Sequence, residues 1–443
     1  MKGPGTPASG PGQAVFFGLS PTTAARMTPL PPPPRSIEAL PAACQVLVVG
    51  AGPAGSACAR TLARAGVDVV LADQHAFPRD KVCGDGLIPD AYAALRRLGV
   101  LDEVMRHAQP VAHVGCVGPR GGRIDVPGTM AVLPRRTLDL ILCRAAVDAG
   151  AALLPPARFE APLEEGGRVV GARLKMGDAV HELRADWLVL ATGAVPQALI
   201  AAGMCERRTP SGVALRGYVK NDAMVGRIKA LDVVWHKRLK PGYGWIFPCR
   251  DGVFNIGVGI AHSHNVLKDG RLGMKDFNLR EVFAAFTAVY APAGELMAGG
   301  TLQGELKGAP LRCSLEGARF SRPGLVVTGE AAGSTYSFTG EGIGKALETG
   351  IHAAEAIADG RAKARDDAAV RADYEARLAA LKPRFAMYEK ANRVNVHPWL
   401  ADLVIWRGKK SARLLARMSG VLNETSNPGN LVSLKGFHRL FLE

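Results

Sequence analysis

A glycine-rich turn between a short apolar strand and a helix constrains the fold of this 443-residue chain most strongly. The stretch VLVVGAGPAGSACARTLARAG places Gly50, Gly52 and Gly55 in a GxGxxG pattern, and a second apolar run, VDVVLAD, follows at once. In such a β-α-β unit the first glycine permits the turn, the second lets a pyrophosphate approach the backbone, and the third lets helix and strand pack closely. The pattern predicts a doubly wound α/β domain that binds a dinucleotide.

An acidic residue at the end of the second strand supports this prediction. Asp73 lies about 20 residues after the glycine loop, where a carboxylate accepts hydrogen bonds from a ribose diol. We expect Asp73 to bind the ribose of the dinucleotide. These residues alone leave NAD and FAD open.

The far end of the chain favours FAD. The stretch GLVVTGEAAG places Glu330 after a second apolar strand, and a segment rich in Gly, Ser and Thr then opens a helix. In a flavoprotein such a carboxylate binds the ribityl hydroxyls, while the N-terminus of the next helix faces the pyrimidine end of the flavin. We therefore expect one FAD site built from both ends of the chain.

The charge of the chain suits an anionic partner. It has 55 Lys and Arg against 40 Asp and Glu, a net charge of +15 and an isoelectric point near 9.6. A nucleotide cofactor, a lipid headgroup or a nucleic acid could each match this charge. Since no recognised nucleic-acid-binding module accompanies the basic residues, we expect no nucleic-acid partner.

The eight cysteines are scattered along the chain without a CxxC pair, and no cluster of histidines completes a zinc site. This usage predicts a reducing, cytoplasmic environment and no metal site. No uncharged apolar run approaches the roughly 18 to 20 residues that a membrane span requires. Residues 1–43 are rich in Pro and Gly, which predicts a disordered leader and makes Met27 an alternative start.

Several motifs in order resemble the geranylgeranyl reductase family, within the larger group of flavoproteins that includes aromatic hydroxylases and flavin-dependent halogenases. After the glycine loop they are FPRDKVCGDGL, RRTLD at the head of a helix, GYGWIFP, FNIGVG and GLVVTGEAAGSTYSFTGEGIGKALETG. The glycine loop and the last motif are common to the larger group. The CGDGL and YGWIFP stretches are more specific, and they favour the reductase branch.

The resemblance implies a doubly wound FAD-binding domain interrupted by a substrate domain built on an antiparallel sheet. The expected FAD-binding domain comprises residues 44–110, 134–195 and 311–360. The expected substrate domain comprises residues 111–133 and 196–310, and a basic helical region follows over 361–443. Within the first domain, the stretch DAYAALRRLGVLDEVMRH predicts one helix over about 90–107.

The resemblance also implies roles for individual residues: Arg135 contacts FAD, Glu330 binds the ribityl chain, and Gly340 and Gly342 lie near the flavin ring. The full expected FAD-binding set is Gly50, Gly52, Ala54, Gly55, Asp73, Gln74, Arg79, Cys83, Gly84, Arg135, Gly329, Glu330, Gly340, Gly342 and Ile343. Thr192 stands where hydroxylases of the group carry an aspartate that helps bind FAD and NADPH. The electron donor therefore stays open between NAD(P)H and another reduced carrier.

Three residues are candidates for the chemistry. Tyr243 and Trp245 in PGYGWIFP, with Phe247 beyond them, are expected to wall an apolar substrate site, and the alternative is that they are ordinary sheet-core aromatics. Cys83 in RDKVCGDGLIP either works beside the flavin, by gating the pocket, contacting substrate or relaying a proton, or is merely part of a turn. Arg79 and Lys81 either bind an anionic group or form a solvated turn.

Residues 361–443 carry 16 Lys and Arg against 8 Asp and Glu. RGKKSARLLARMSGVL places bases beside apolar residues at helical spacing, which fits either peripheral contact with anionic lipid or a basic solvated helix that closes the FAD domain. The function expected is reduction of carbon-carbon double bonds in an isoprenoid or other apolar substrate. The alternatives are a flavin-dependent monooxygenase and a flavin- or lipid-binding protein without turnover, and the oligomeric state stays open.

Overall fold

A computed structural model describes residues 30, 40–261, 264–266, 272–274 and 277–423 of the chain. Apart from residue 30, all of these lie in one compact unit, Pro33–Glu443. Most of the expected leader, and the end of the basic C-terminal region over 424–443, lie outside the described residues.

The first sheet is a parallel, doubly wound core in the order β18-β19-β9-β1-β2-β6. Its strands are β1 (Ala43–Val49), β2 (Val69–Ala72), β6 (Ala152–Leu153), β9 (Ala179–Leu190), β18 (Ser321–Arg322) and β19 (Leu325–Val327). All of these neighbours pair in parallel except β18 with β19. Runs such as VLVV in β1 are apolar throughout because both faces of a parallel sheet are covered.

An antiparallel extension and a layer of helices complete this part of the molecule. Strands β7 (Arg158–Glu165) and β8 (Arg168–Met176) form a meander that adds to the first half of β9. Helix α1 (Pro53–Arg64) packs against α4 (Arg135–Asp148) and α8 (Ile343–Ala362), and α9 (Asp367–Ala391) packs on α8. The short helix α5 (Gln197–Ala201) contacts β7.

The helix expected over 90–107 is two helices, α2 (Pro89–Leu98) and α3 (Leu101–His107). Gly99 separates them in the left-handed conformation, with φ of +72°. A glycine in this conformation ends a helix because it carries no Cβ. The expectation of one continuous helix was therefore wrong.

The second sheet is mainly antiparallel, in the order β16-β10-β13-β12-β11-β4-β5-β3, with β17 also paired to β10. Its strands are β3 (Gly86–Leu87), β4 (Gln109–Val117), β5 (Arg123–Val132), β10 (Gly212–Lys220), β11 (Leu231–Val234), β12 (Gly242–Pro248), β13 (Val253–Ala261), β16 (Thr301–Leu302) and β17 (Lys307–Leu311). A separate two-stranded sheet pairs β14 (His264–Val266) with β15 (Leu272–Met274).

Helices cover the second sheet from two sides. Helices α6 (Leu279–Val289) and α7 (Ala291–Ala298) share an apolar core with β10, β12 and β13. Helices α10 (Arg393–Val396), α11 (Trp399–Gly408) and α12 (Ala412–Leu422) pack beside β4, β5 and β11. The basic C-terminal helices α11 and α12 thus cover the second sheet, and not the FAD domain as the simpler interpretation expected.

The predicted fold class is confirmed: a doubly wound α/β layer is joined to an antiparallel-sheet layer and a helical C-terminal region. In the described residues, short 3-10 turns over Asp222–Met224 and Gly329–Ala332 complete the regular structure. Among the helices within the described ranges, none is both long enough and apolar enough to cross a membrane.

Candidate active site

The glycine loop joins β1 to α1 at the carboxyl end of the parallel sheet. Gly50 has φ of +102°, and a Cβ on it would overlap the carbonyl oxygen of Ala191 at the end of β9. A Cβ on Gly55 would overlap the carbonyl oxygen of Gly50. Both positions therefore require glycine, because the loop, the helix and the neighbouring strand approach one another at backbone distance.

Asp73 ties the end of β2 to this loop. Its buried carboxylate accepts hydrogen bonds from the backbone N–H of Ala51, at 2.9 Å, and of His75, at 3.0 Å. It also pairs with Arg79, at 3.2 Å. The neighbouring Gln74 is exposed. Asp73 consequently holds the glycine loop in place.

Two arginines flank Gly52, the residue before α1. A Cβ built on Gly52 would lie 3.6 Å from Nη2 of Arg79 and 3.7 Å from Nη2 of Arg135. Both arginines bind the fully buried Asp139: Arg79 donates to it at 2.9 Å, and Arg135 donates twice, at 2.7 and 2.9 Å. Burial alone lowers the pKa of Arg135, but the Asp139 carboxylate outweighs that effect and raises it. The Arg135 guanidinium is thus charged beside the glycine loop.

Asp139 was not among the residues expected at the site. A signal for it was present, because RRTLD places an acid four residues after Arg135 on a helix, where the two side chains meet.

The segment after β19 meets the glycine loop from the other side. Gly329 has φ of +65°, and a Cβ on it would overlap that of Ala54. Glu330 accepts a hydrogen bond from Thr335 at 3.3 Å, and its other oxygen lies 3.9 Å from Nζ of Lys81. Residues from both ends of the chain therefore meet in one place.

Helix α8 begins close to the aromatic residues of β12. Gly342 is its N-cap, and Ile343 is its first, buried residue. Gly340 has φ of +68°, and a Cβ there would lie 2.8 Å from the hydroxyl of Tyr243, which itself donates to the carbonyl of Thr339. The turn before α8 and the aromatic strand are thus in direct contact.

Cys83 is half-buried in the turn between Arg79 and β3. Burial raises the pKa of its thiol above the ordinary value, and the charge of Arg135 opposes that rise. Its Sγ accepts the backbone N–H of Asp85 at 3.3 Å. At neutral pH Cys83 is therefore a protonated thiol. If it lost its proton, the N–H of Asp85 and the charge of Arg135 would stabilise the thiolate.

Asp85 is a fully buried carboxyl group next to this thiol, in the left-handed conformation with φ of +66°. It accepts hydrogen bonds from the hydroxyl of Tyr218, from Nδ2 of Asn255 at 2.8 Å and from the backbone N–H of Arg135 at 3.2 Å. Burial raises its pKa to about 6, although these donors favour the charged form. The turn is thereby fixed to strands β10 and β13.

Asn255 links the turn to the aromatic strand. Its amide nitrogen also donates to the carbonyl of Cys83 at 2.8 Å, and its amide oxygen accepts the indole N–H of Trp245 at 2.9 Å. No local sequence signal points to Asn255 or Tyr218, since both come from strands far along the chain whose pairing local patterns do not reveal.

Five aromatic rings form a continuous row across the second sheet. Tyr243, Trp245 and Phe247 alternate along β12 and so share one face, with ring centroids 6.3 and 6.4 Å apart. The row continues from Tyr243 to Trp235 and from Trp235 to Phe338, each step 6.2 Å. Its other end lies at the turn, where a Cβ on Gly84 would be 3.2 Å from the ring of Phe247.

These residues fit FAD. The loops after β1, β2, β9 and β19 all lie at the carboxyl ends of parallel strands, the edge at which α/β sheets bind their ligands. Within the described part of the chain, Nε of Arg79 and Oγ1 of Thr192 are buried polar atoms without a hydrogen-bond partner. Both belong to these loops, so the site combines closely packed glycines, the buried cation Arg135, the partly exposed cation Arg79 and polar groups available to a ligand.

Comparison with known proteins agrees with this arrangement. The FAD binding domain family matches residues 43–239. The chain is 34% identical over 338 residues to a menaquinone reductase of Mycolicibacterium smegmatis, across 71% of this chain and 76% of that protein. It is 30% identical over 314 residues to digeranylgeranylglycerophospholipid reductase 1 of Methanopyrus kandleri, across 70% of this chain and 79% of that protein.

Solved structures share the fold at lower identity. A geranylgeranyl bacteriochlorophyll reductase-like protein of Thermoplasma acidophilum has a TM-score of 0.67 at 21% identity, covering 90% of this chain and 96% of that one. A flavin-dependent brominase has a TM-score of 0.66 at 20% identity, covering 90% and 98%. The sequence relatives, together with the site that fits FAD, confirm the resemblance: this chain belongs to the geranylgeranyl reductase family of FAD-dependent oxidoreductases.

Proposed function

We propose that the protein reduces carbon-carbon double bonds in the isoprenoid chain of an apolar substrate. One observation carries the proposal: a row of five aromatic rings ends at the turn that holds the Cys83 thiol. Broad aromatic faces suit an apolar chain better than a polar metabolite. The relatives named for menaquinone and for digeranylgeranylglycerophospholipid support this substrate class.

The roles of the cofactor-binding residues follow from charge and position. Arg79 and Arg135, beside Gly52, bind the pyrophosphate, and Asp73 binds the adenosine ribose. Glu330 binds the ribityl chain. The turn before α8, with Gly340, Gly342 and Ile343, borders the flavin ring. When bound and reduced, FAD supplies the hydride that the reaction requires.

The chain itself supplies the proton. Saturation of a double bond needs a hydride on one carbon and a proton on the other. Cys83 gives its Sγ proton to the second carbon, and the thiolate that remains is stabilised by the N–H of Asp85 and the charge of Arg135. Solvent then returns a proton to the sulfur. Tyr243 and Trp245 position the chain and exclude water from it.

The electron donor is NAD(P)H or another reduced carrier. Thr192 offers a hydroxyl where hydroxylases of the larger group use a carboxylate. Anaerobic titration of the oxidised holoenzyme with NADPH, NADH and a reduced ferredoxin in turn identifies the donor, because only the competent one bleaches the flavin at a useful rate.

A single-turnover experiment tests the proposed chemistry. Chemically reduced holoenzyme is mixed without oxygen with a substrate that carries a geranylgeranyl chain, and return of the oxidised flavin absorbance is followed. Cys83→Ala is expected to slow this step by about 100-fold or more, the usual contribution of a positioned acid, at unchanged flavin content. Cys44→Ala, at the amino end of β1 and so opposite the site, is the matched control. Wild-type rates in both Cys83→Ala and Cys83→Ser would return Cys83 to a purely structural role in the turn.

A further inference from the structure

An apolar stripe runs along the outer face of α11. Trp399 and Trp406 are 60% and 48% exposed, and seven residues along a helix bring them to the same face. Leu403, partly exposed, lies between them, and Val396 on α10 precedes them. Among the large apolar side chains that the structure describes as exposed, these two tryptophans are the only aromatic ones.

The stripe takes no part in the packing of α11 on the second sheet. Leu400, Ala401 and Ile405 are buried in the cluster that contains Ile124 and Trp235 of the second sheet. The helix is therefore anchored by its opposite side. Exposed apolar surface in excess of what the fold requires marks a contact with something outside the chain.

Cationic side chains surround the stripe. Lys410 places Nζ 4.9 Å from the ring centroid of Trp406. Beside Trp399 lies a cavity of about 460 Å³ whose lining includes Arg120, Lys237 and Lys240. Among the lining residues that the structure describes, Asp402 is the one carboxylate, and it lies 3.9 Å from Nε of Arg120. The cavity keeps a positive charge after this pairing.

We propose that this surface, the Trp399–Lys410 face, docks on an anionic lipid bilayer. Tryptophan is enriched at membrane interfaces because its ring is apolar and its N–H is polar. Basic residues beside it are attracted to anionic headgroups, and the cavity of Arg120, Lys237 and Lys240 accepts a lipid phosphate. With ten residues, α11 lies in the interface and does not cross it.

The Trp399–Lys410 face lies next to one end of the aromatic row, so docking would bring a membrane substrate close to the row. This link between docking and substrate access rests on the proposed function. Asn395, just before α11, accepts the indole N–H of Trp235 at 2.8 Å and donates to the carbonyl of Phe338 at 3.1 Å. The row therefore ends beneath the start of α11. A lipid-borne isoprenoid chain held at the Trp399–Lys410 face would therefore lie near the Phe338 end of the aromatic row, whose other end lies at the turn of Cys83.

Vesicle flotation of the holoenzyme tests the proposal. Wild-type protein is expected to float with vesicles made of equal parts phosphatidylglycerol and phosphatidylcholine, and far less with phosphatidylcholine alone. The double variants Trp399→Ser/Trp406→Ser and Lys237→Glu/Lys240→Glu are each expected to lose at least about tenfold in binding. Matched controls are Val225→Ser, an apolar residue 58% exposed elsewhere, and the exposed Lys363→Glu. Flavin content and thermal midpoint establish that each variant is folded.

Three results would overturn the proposal. The first is that wild-type protein stays in the soluble fraction. The second is that the double variants bind vesicles as well as wild type does. The third is that the tryptophan variant changes only the oligomeric state in analytical ultracentrifugation, which would assign the stripe to a second copy of the chain. Turnover is measured separately with substrate in detergent, where the tryptophan variant is expected to match wild type. Loss of all turnover with the binding pattern intact would reject the proposed function and leave the docking surface standing.

Discussion

Asp85 is the residue whose buried charge has the clearest consequence. Its pKa is raised by burial from an ordinary 3.8 to about 6. Because the folded protein holds this proton more tightly than the unfolded chain, the carboxyl stabilises the fold fully below about pH 4, and that stabilisation is lost as the pH rises through about 6. The shift corresponds to a change on the order of 2 to 3 kcal/mol.

Asp85→Asn removes this titration while preserving the shape of the side chain. The free energy of unfolding of the holoenzyme is measured in urea between about pH 4.5 and 7.5, for wild type and variant. Between the two pH limits, wild type is expected to lose on the order of 2 kcal/mol more than the variant. Parallel pH profiles for the two proteins would show that Asp85 titrates in its ordinary range.

Alanine variants of two glycines with positive φ distinguish the cost of backbone strain from the cost of steric overlap. Gly50→Ala forces a Cβ into the carbonyl of Ala191, whereas Gly66, at φ of +75°, has open space around its Cβ position. Gly66→Ala is expected to cost only about 1 kcal/mol and to retain FAD. Gly50→Ala is expected to lose bound flavin, measured as the ratio of flavin to protein absorbance. Equal flavin content in the two variants would contradict the claim that the close packing at Gly50 is required to bind FAD.

The sequence anticipated those site residues whose signals are local. Gly50, Gly52 and Asp73 lie in one short β-α-β unit, so their proximity follows from spacing, whereas the place of Arg135 beside them was implied by the family resemblance. Tyr218 and Asn255 reach Asp85 through strands more than 130 residues away in sequence. Such a meeting depends on strand order across a whole sheet, which composition and periodicity do not encode.

Strand β12 presents two different faces, and this predicts two kinds of variant. Trp245 faces the turn that holds Cys83, while Ile246 is fully buried against α6 and α7. Trp245→Leu is expected to raise KM for an isoprenoid substrate about tenfold or more, with a smaller change in thermal midpoint. Ile246→Val is expected to cost about 1 kcal/mol of stability and to leave KM unchanged. An unchanged KM in Trp245→Leu would show that the aromatic row does not line the substrate site.

Apolar periodicity locates helices along the chain but does not specify where they are interrupted or which surface they cover. Apolar periodicity predicted helices near α1, α4 and α8, where one face is buried on the sheet. It did not predict the interruption at Gly99, because a glycine inside a periodic run is tolerated unless its backbone turns left-handed. Nor did it predict that α11 covers the second sheet, since an amphipathic helix does not specify which apolar surface it covers.

At the scale of the whole molecule, the cofactor site joins distant parts of the chain. Loops after β1 and β2 meet the segment after β19, and Arg216 of β10 donates to Asp80 at 2.6 Å and to the carbonyl of Lys81 at 3.0 Å. FAD at about 100 times its dissociation constant is expected to stabilise the fold by about 2.7 kcal/mol. Calorimetry of the apoprotein titrated with FAD should show one transition that moves upward by several degrees. Two transitions, only one of which responds to FAD, would mean that the sheets unfold independently.

The most direct test of the central claim is the mass of the product. Chemically reduced holoenzyme is incubated with a substrate that carries a geranylgeranyl chain, with and without oxygen, and the products are analysed by mass spectrometry. The account predicts a gain of two hydrogen atoms for each reduced double bond, and it predicts that this gain persists in the absence of oxygen. A gain of one oxygen atom that requires air, or an unchanged substrate under both conditions, would contradict it.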